Sequence, residues 1–352
     1  MLKFGAIGAG MISQSGFDGL TASLAAEVVA VADANEGRAK AYAERNKVKK
    51  YFTDPVAILR DPAIDAVYIA LPNALHVPMA VAALEAGKHV ILDKPFALDL
   101  ADAGKVAAAI KKSGKLFMLG MNQRFAEGPQ RIKALVDQGY FGDIYAVGAF
   151  WRRRSGIPRL GTWFGDKAAA GGGCMLDIGV HMLDLALYTI GNFQVETVSG
   201  SVFTKFGNRG LGEGDWGLSD REQLPFDVDD FATAFLRLKG GIALNLNISW
   251  AAHQKDADVH NVDLHGTKAG ASLYPGVVYS YDEQAKAVFD MGNLKVDLKY
   301  PHRDRFVHFV RAIRGEEALC VTIEQALAVQ KTLDAIYRSA REGREIRLDG
   351  KE

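Results

Sequence analysis

The strongest constraint on the fold sits at the start of the chain. An apolar run at residues 3–7 leads directly into Gly8-Ala9-Gly10-Met11-Ile12-Ser13, a glycine turn between a β-rich segment and a helical one. Gly8 and Gly10 fill the first two positions of a GxGxxG pattern and Ser13 fills the third. The first glycine permits a tight turn and the second lets backbone approach a pyrophosphate at the next helix N-terminus. A small third residue allows close strand–helix packing. Glycine pairs occur in many turns, so the pattern takes its meaning from its surroundings. Candidate strands at residues 3–7, 28–32, 66–70, 89–92 and 116–119 alternate with helical patterns, several closing on a glycine such as Gly87 or Gly114. That alternation predicts an α/β chain whose N-terminal part is a doubly wound parallel sheet of βαβ units.

Asp33 ends the second strand, 25 residues after Gly8. A carboxylate there accepts hydrogen bonds from the adenosine ribose hydroxyls, whereas the bland alternative is a cap on the following helix. Strand, turn, helix, strand and acid in this order favour a dinucleotide. The acid would repel a 2′-phosphate, so NAD is expected over NADP. Arg38 points the other way, because a guanidinium can pair with phosphate or stack on adenine.

The pattern changes after Gly120. From Ile144 onward period-two alternation dominates, with Ile242, Leu244, Leu246, Ile248 and Trp250 facing one way and Asn245, Asn247 and Ser249 the other. This predicts a second α/β domain with an open, mostly antiparallel sheet, one face buried and one wetter. Lys239-Gly240-Gly241 supplies a hairpin turn between residues 231–238 and this strand. Helical patterns at 306–314 and 323–341 finish the chain, and the Gly-, Asp- and Glu-rich stretch 207–226 is the expected mobile loop. At about 150 residues per domain, 352 residues divide as a Rossmann domain at 1–121 and a substrate-binding and oligomerisation domain at 122–352.

Composition removes other classes of function. Lys plus Arg and Asp plus Glu each number 42, so there is no net field to attract nucleic acid or an anionic membrane. Cys174 and Cys320 lie far apart, without zinc or redox spacing, which fits a reducing compartment. The apolar start lacks the features of a secretory leader, and the apolar stretch 175–190 carries Asp177, His181 and Asp184, so neither export nor a membrane span is expected. A cytoplasmic protein is the expectation.

Two places carry candidate chemistry. Lys94 lies between Asp93 and Pro95 at the end of the strand at 89–92, the edge of a doubly wound sheet where ligands bind. A lysine held there beside a cationic nicotinamide would have a lowered pKa and serve as a proton shuttle; the competing reading is a salt bridge with Asp93. Gly171-Gly172-Gly173 precedes a helical pattern that sets Asp177 and His181 four apart, on one face of an α-helix. Asp184 is the only local third candidate ligand, so no metal site is expected. The alternative is a helix cap and a satisfied core histidine. The segment 151–159 reads as a loop holding Arg152, Arg153, Arg154 and Arg159, which would either grip an anionic substrate or pair with acids. Trp151 and Trp163 flank it and offer flat faces for a sugar ring, or simply pack in the core.

Taken together, the glycine turn, Ala32-Asp33, Leu71-Pro72-Asn73 with His76, Asp93-Lys94-Pro95 and Asp177-Ile178-Gly179-Val180-His181 resemble the Gfo/Idh/MocA family over essentially the whole chain. The resemblance implies NAD-dependent hydride transfer at a secondary alcohol of a sugar or cyclitol, and a homodimer or homotetramer. It implies a catalytic set falling on Lys94, Asp177 and His181. Cofactor contacts would fall on Gly8, Gly10, Met11, Ile12, Asp33, Arg38, Leu71, Pro72, Asn73, His76, Asp93, Lys94, Pro95 and Gln123, with Arg124 nearby. Arg152, Arg154 and Trp163 are candidate substrate contacts. Two departures stand out: Asp93 replaces the family's usual Glu, one methylene longer, and Ser13 replaces a small apolar residue. Two further readings are kept open, an NAD-recycling glycosidase acting by oxidation and elimination, and an NAD-binding protein without turnover.

Overall fold

The computed structural model describes residues 1–214, 225–348 and 350, and the chain divides into two compact units. The first comprises Met1–Asn122 and Asp304–Leu327, the second Gln123–Arg303 and Ala328–Glu352. The division at residue 122 is close to the expected one, but 304–327 belongs to the first unit rather than the second. Phe306 and Phe309 explain this: Phe306 packs edge-on against Tyr68 and Phe309 against Phe4, both core residues of the first unit.

The first unit holds β1 (Leu2–Ile7), β2 (Ala26–Ala32), β3 (Lys50–Phe52), β4 (Ala66–Ile69), β5 (His89–Leu92) and β6 (Phe117–Leu119). Among the described residues these form one parallel sheet in the order β3-β2-β1-β4-β5-β6. β4 is buried along its whole length, as helices on both faces of a parallel sheet require. The strand order reverses direction between β1 and β4, and the carboxyl ends there define the ligand edge. Sequence patterning missed β3, a three-residue edge strand too short for periodicity to show.

Gly8, with φ +100°, follows β1, and a Cβ there would lie 2.1 Å from the Ala70 carbonyl oxygen. Ser13 is buried and donates its hydroxyl to Gly10 O at 2.5 Å. Close packing of the following helix, Ser13–Ala22, rests on two other residues: a Cβ on Gly16 would meet the Tyr68 ring at 2.2 Å, and one on Gly19 the Phe306 ring at 2.6 Å.

The second unit holds β7 (Ile144–Arg153), β8 (Val195–Phe203), β9 (Phe231–Leu238), β10 (Ile242–Ser249), β11 (Asp258–Gly266), β12 (Ala269–Ser272), β13 (Val277–Asp282), β14 (Ala287–Met291) and β15 (Ile346–Arg347). Among the described residues they form one mixed sheet, ordered β14-β13-β12-β11-β7-β10-β9-β8-β15. Only β7 and β10 run parallel; the other pairs are antiparallel. The expected hairpin is β9–β10, with Leu238 opposite Ile242 and both Gly240 and Gly241 at positive φ. Leu244, Leu246 and Ile248 face the core while Asn245 is exposed. The final helices run Arg305–Ile313 and Ile323–Glu342.

Two expectations are corrected. Trp151, Arg152 and Arg153 belong to β7 rather than to a loop, because β10 and β11 pair with them on either side. The run carrying Asp177 and His181 does not start as an α-helix: residues Met175–Gly179 form a π-helical turn, followed by the α-helix Val180–Ile190. Within the helical stretch Lys167–Ile190, long and apolar enough to span a membrane, 83% of the most apolar window is buried in this fold. Of the loop expected to be mobile, residues 215–224 lie outside the described residues.

Gly8→Ala should lower the melting temperature, since the backbone conformation alone costs about 1–3 kcal/mol before the clash with Ala70 O. It should also weaken NADH binding in a fluorescence titration at least tenfold; unchanged affinity would remove the glycine turn from the cofactor site.

Candidate active site

In the first unit, the carboxyl end of the sheet gathers the glycine turn, Asp33, the Leu71-Pro72-Asn73 turn and the Asp93-Lys94-Pro95 turn. Asp33 Oδ2 accepts from Ala9 N at 2.9 Å, so the acid at the end of β2 also fixes the glycine turn after β1. Its Oδ1 accepts from Asn35 N at 2.9 Å and from Arg38 Nε and a terminal guanidinium nitrogen at 3.1 and 2.9 Å. The cap of the next helix is Asn35, which accepts from Arg38 N at 3.0 Å. Asp33 therefore does not serve as that cap; Oδ1 is taken by three donors, while Oδ2, with only Ala9 N, keeps a lone pair for an acceptor role.

A Cβ built on Gly10 meets nothing within 4 Å, which leaves open space where a pyrophosphate would approach the start of helix Ser13–Ala22. No side chain caps that helix and no acid occupies its first turn. Met11 and Ile12 are 60% and 52% exposed beside it, available to an apolar ring face. These features fit a bound dinucleotide.

His76 is buried, with Nδ1 2.7 Å from Pro95 O and Nε2 2.8 Å from Leu71 O. Both ring nitrogens face backbone carbonyls, so the imidazole links the Leu71 and Pro95 turns instead of presenting a nitrogen outward. Burial pushes its pKa below the usual histidine value, against the opposing pull of the two carbonyls. Asn73 is also buried, in the short 3₁₀ turn Asn73–Leu75.

Lys94 is half-buried at the end of β5, and the Lys94–Pro95 peptide is cis. Asp93 is only 6% exposed; its carboxylate accepts from the Tyr68 hydroxyl at 2.8 Å and pairs with Arg305 at 3.2 Å. Burial, reinforced by Asp93, raises the Tyr68 pKa well above the usual tyrosine value, so the hydroxyl stays a donor. Burial works against the Arg305 charge, but Asp93, Tyr68 and Asp304 together raise its pKa.

The second unit carries the other candidates. Asp177 Oδ2 accepts from Trp250 Nε1 at 2.8 Å. His181 is buried, its ring centroid 6.0 Å from that of Trp151. An aromatic row continues through His260, 4.9 Å from Trp151, to Tyr274, 4.8 Å from His260. Tyr274 donates its hydroxyl to Gln123 Oε1, which places the Gln123 side chain in this unit's own network. Burial lowers the His260 pKa from the usual value.

Three anchors hold the segment that bears Asp177 and His181, and none was read from the sequence. Asp229, buried, accepts from Gly173 N at 2.7 Å, Met175 N at 2.9 Å, Cys174 Sγ at 3.2 Å and the Tyr337 hydroxyl at 2.8 Å. Burial and then the Asp229 charge raise the pKa of both Cys174 and Tyr337, which keeps them protonated donors. Trp250 is the second anchor. The third is Arg124, whose guanidinium grips Asp184 at 2.8 and 2.5 Å, the two side chains 0% and 1% exposed. Asp184 is thereby engaged as an ion-pair partner, and Arg124 is buried under Tyr188 rather than presented to a ligand. The one available sequence signal was the acid run Asp227-Val228-Asp229-Asp230 before β9.

Arg152 and Arg153, from the same stretch, take different partners. Arg153 pairs with Asp258 at 3.2 Å and lies over the Trp151 ring, whose Nε1 donates to the same Asp258 at 2.9 Å. Arg152 lies over Phe150, and Arg154 is exposed. Trp163 stacks on Phe164 at 3.9 Å.

Asp184→Ala would leave Arg124 charged and buried, costing about 3–5 kcal/mol. A denaturant melt should show it as a large loss of midpoint; a shift of a few tenths of a kcal/mol would deny the pair its anchoring role.

Comparison with known proteins matches residues 2–121 to a profile described as the GFO_IDH_MocA oxidoreductase family, NAD-binding Rossmann fold, and residues 130–272 to the GFO/IDH/MocA C-terminal domain. The chain is 31% identical over 324 residues to D-glucoside 3-dehydrogenase of Escherichia coli (strain K12), covering 92% of this chain and 90% of that protein. In fold it superposes on levoglucosan dehydrogenase in complex with NADH and levoglucosan with a TM-score of 0.83, at 22% identity and 99% coverage of both chains. GenD2 from gentamicin A biosynthesis, in complex with NAD, gives a TM-score of 0.79 at 26% identity, covering 99% and 97%.

Proposed function

This chain belongs to the GFO/IDH/MocA oxidoreductase family with its NAD-binding Rossmann fold, and from that premise we propose that it oxidises a secondary ring hydroxyl of a pyranoside to the ketone, with NAD as acceptor. The observation that carries the reading is the similarity to a D-glucoside 3-dehydrogenase across 92% of the chain. The residues agree with it. A dinucleotide turn closed by Asp33 selects NAD, Lys94 stands at the carboxyl end of β5, and Asp177 and His181 are held in fixed places in the second unit.

Bound NAD supplies the hydride acceptor. In the proposed mechanism Lys94 hydrogen-bonds the reacting hydroxyl and His181 takes its proton. Asp177, its carboxylate aimed by Trp250, orients the ring through neighbouring hydroxyls. Acid–base assistance of this kind contributes about 10²–10⁴ in rate. The test is NADH formation at 340 nm with methyl β-D-glucopyranoside, D-glucose, levoglucosan and myo-inositol. Methyl β-D-glucopyranoside should give the highest kcat/KM, and Lys94→Ala should lose at least a hundredfold in kcat while still binding NADH. Near-normal turnover by that variant would sink the role of Lys94. Cleavage of the glycoside without free NADH would mean a recycled cofactor.

Self-association and a cytoplasmic location are part of the same proposal. Pairing registers place Phe150, Phe231, Phe235, Phe203, Tyr279 and Tyr281 on the face of the second sheet opposite its buried alternation. Phe203 is 41% and Tyr281 58% exposed, an apolar face suited to a second copy. Light scattering after gel filtration should give a dimer or tetramer that Phe203→Glu with Tyr281→Glu shifts toward monomer; a wild-type monomer would overturn this part. The free, buried Cys174 and Cys320 support a reducing compartment, which cell fractionation tests directly.

A further inference from the structure

Lys94 is flanked by two residues that the first unit holds from beneath. On one side Asp93 is fixed through both oxygens: Oδ2 by the Tyr68 hydroxyl at 2.8 Å, Oδ1 by Arg305 at 3.2 Å and by Lys94 N itself at 3.2 Å. On the other side the Pro95 carbonyl lies 2.7 Å from His76 Nδ1. Arg305 also donates to Gly120 O at 2.6 Å, and Gly120 N bonds Leu92 O at 2.8 Å, so one guanidinium ties the ends of β5 and β6 together under the lysine.

These holders are themselves fixed. Tyr68 packs edge-on against Phe306 at 4.9 Å, and the Arg305 guanidinium lies over the same ring at 4.8 Å. Gly16 allows helix Ser13–Ala22 to lie directly against the Tyr68 ring. Asp93, only 6% exposed and held by three donors, is poorly placed to bind a ribose. Its shorter side chain, compared with glutamate, suits a partner as near as Arg305.

We propose that Tyr68, Arg305 and His76 are positioning residues for Lys94, acting through Asp93 and Pro95, and that Asp93 belongs to this support rather than to the cofactor contacts. A side chain aimed by a rigid pair of flanking anchors keeps its amine where the reacting hydroxyl must come, and a displacement of about 1 Å can cost on the order of a hundredfold in rate. The inference rests on the reading of Lys94 in the proposed mechanism.

Tyr68→Phe is the cleanest probe, since it keeps the ring packing and removes only the hydroxyl on Asp93. With methyl β-D-glucopyranoside and NAD it should lower kcat about tenfold, leaving KM for NAD and the NADH dissociation constant within about twofold. Arg305→Met should lose more, and Arg305→Lys, which keeps the charge on Asp93, should recover part of that loss. Lys94→Ala serves as the reference. If it loses turnover while Tyr68→Phe keeps wild-type kcat, or if Tyr68→Phe weakens NADH binding instead of kcat, the positioning role is overturned. If Lys94→Ala itself retains turnover, the reading of Lys94 fails and this inference falls with it.

Discussion

Asp229 carries a charge in the interior of the second unit, and a carboxylate there is tolerable only when donors converge on it. Two backbone N–H groups, a thiol and a phenol do so, and the backbone pair fixes the local fold. Gly173 N and Met175 N both point at one side chain, at the start of the segment that carries Asp177 and His181. These are N–H groups that the start of a helix leaves without an intrahelical acceptor, and the segment they anchor continues as the π turn Met175–Gly179. Gly173 is required as well, because a Cβ on it would lie 1.8 Å from the Asp229 carbonyl oxygen. Turns of this kind recur at functional sites, where a wider turn re-aims the side chains it carries.

The same device recurs through the molecule. Asp230 accepts three successive backbone N–H groups, from Lys205, Phe206 and Gly207; Asp184 takes Arg124; Asp93 takes Tyr68 and Arg305. An isolated buried carboxylate is expensive, and breaking such a pair costs more than forming it gains, so these contacts specify geometry more than they stabilise. The balance of 42 basic against 42 acidic residues therefore hides buried charges that are matched locally, several beside candidate catalytic residues.

What could be read in the sequence follows from how local each signal is. The glycine turn, the strand at His89–Leu92 and the β9–β10 hairpin are written in adjacent residues, and they emerge in the fold with boundaries shifted by a residue or two. Asp33 was legible because a turn, one helix and one strand, all local elements, set its distance from Gly8. The i, i+4 argument for Asp177 and His181 assumed an α-helical period and met a π turn, in a segment anchored by Asp229, a residue more than fifty positions away. Arg305 was invisible for a related reason: helix Arg305–Ile313 follows the second sheet in sequence, yet its guanidinium belongs to the Asp93 carboxylate in the first unit. Trp151 to Arg153 looked like a loop because arginines are rare in a buried strand, and only pairing on both edges reveals the end of β7.

Asp33 shows how selectivity and architecture become one property. In the proposed binding mode its carboxylate meets the adenosine ribose and would repel a 2′-phosphate, and the same carboxylate receives Ala9 N and so holds the glycine turn. Arg38 offsets part of the negative charge, but its side chain is 60% exposed, and screening by solvent leaves such a pair worth little. A neutral residue at this position would ease the electrostatic objection to a 2′-phosphate. It would also release Ala9 N and with it the glycine turn proposed to approach the pyrophosphate common to both dinucleotides, so a gain for NADP would be accompanied by a loss of binding to either one.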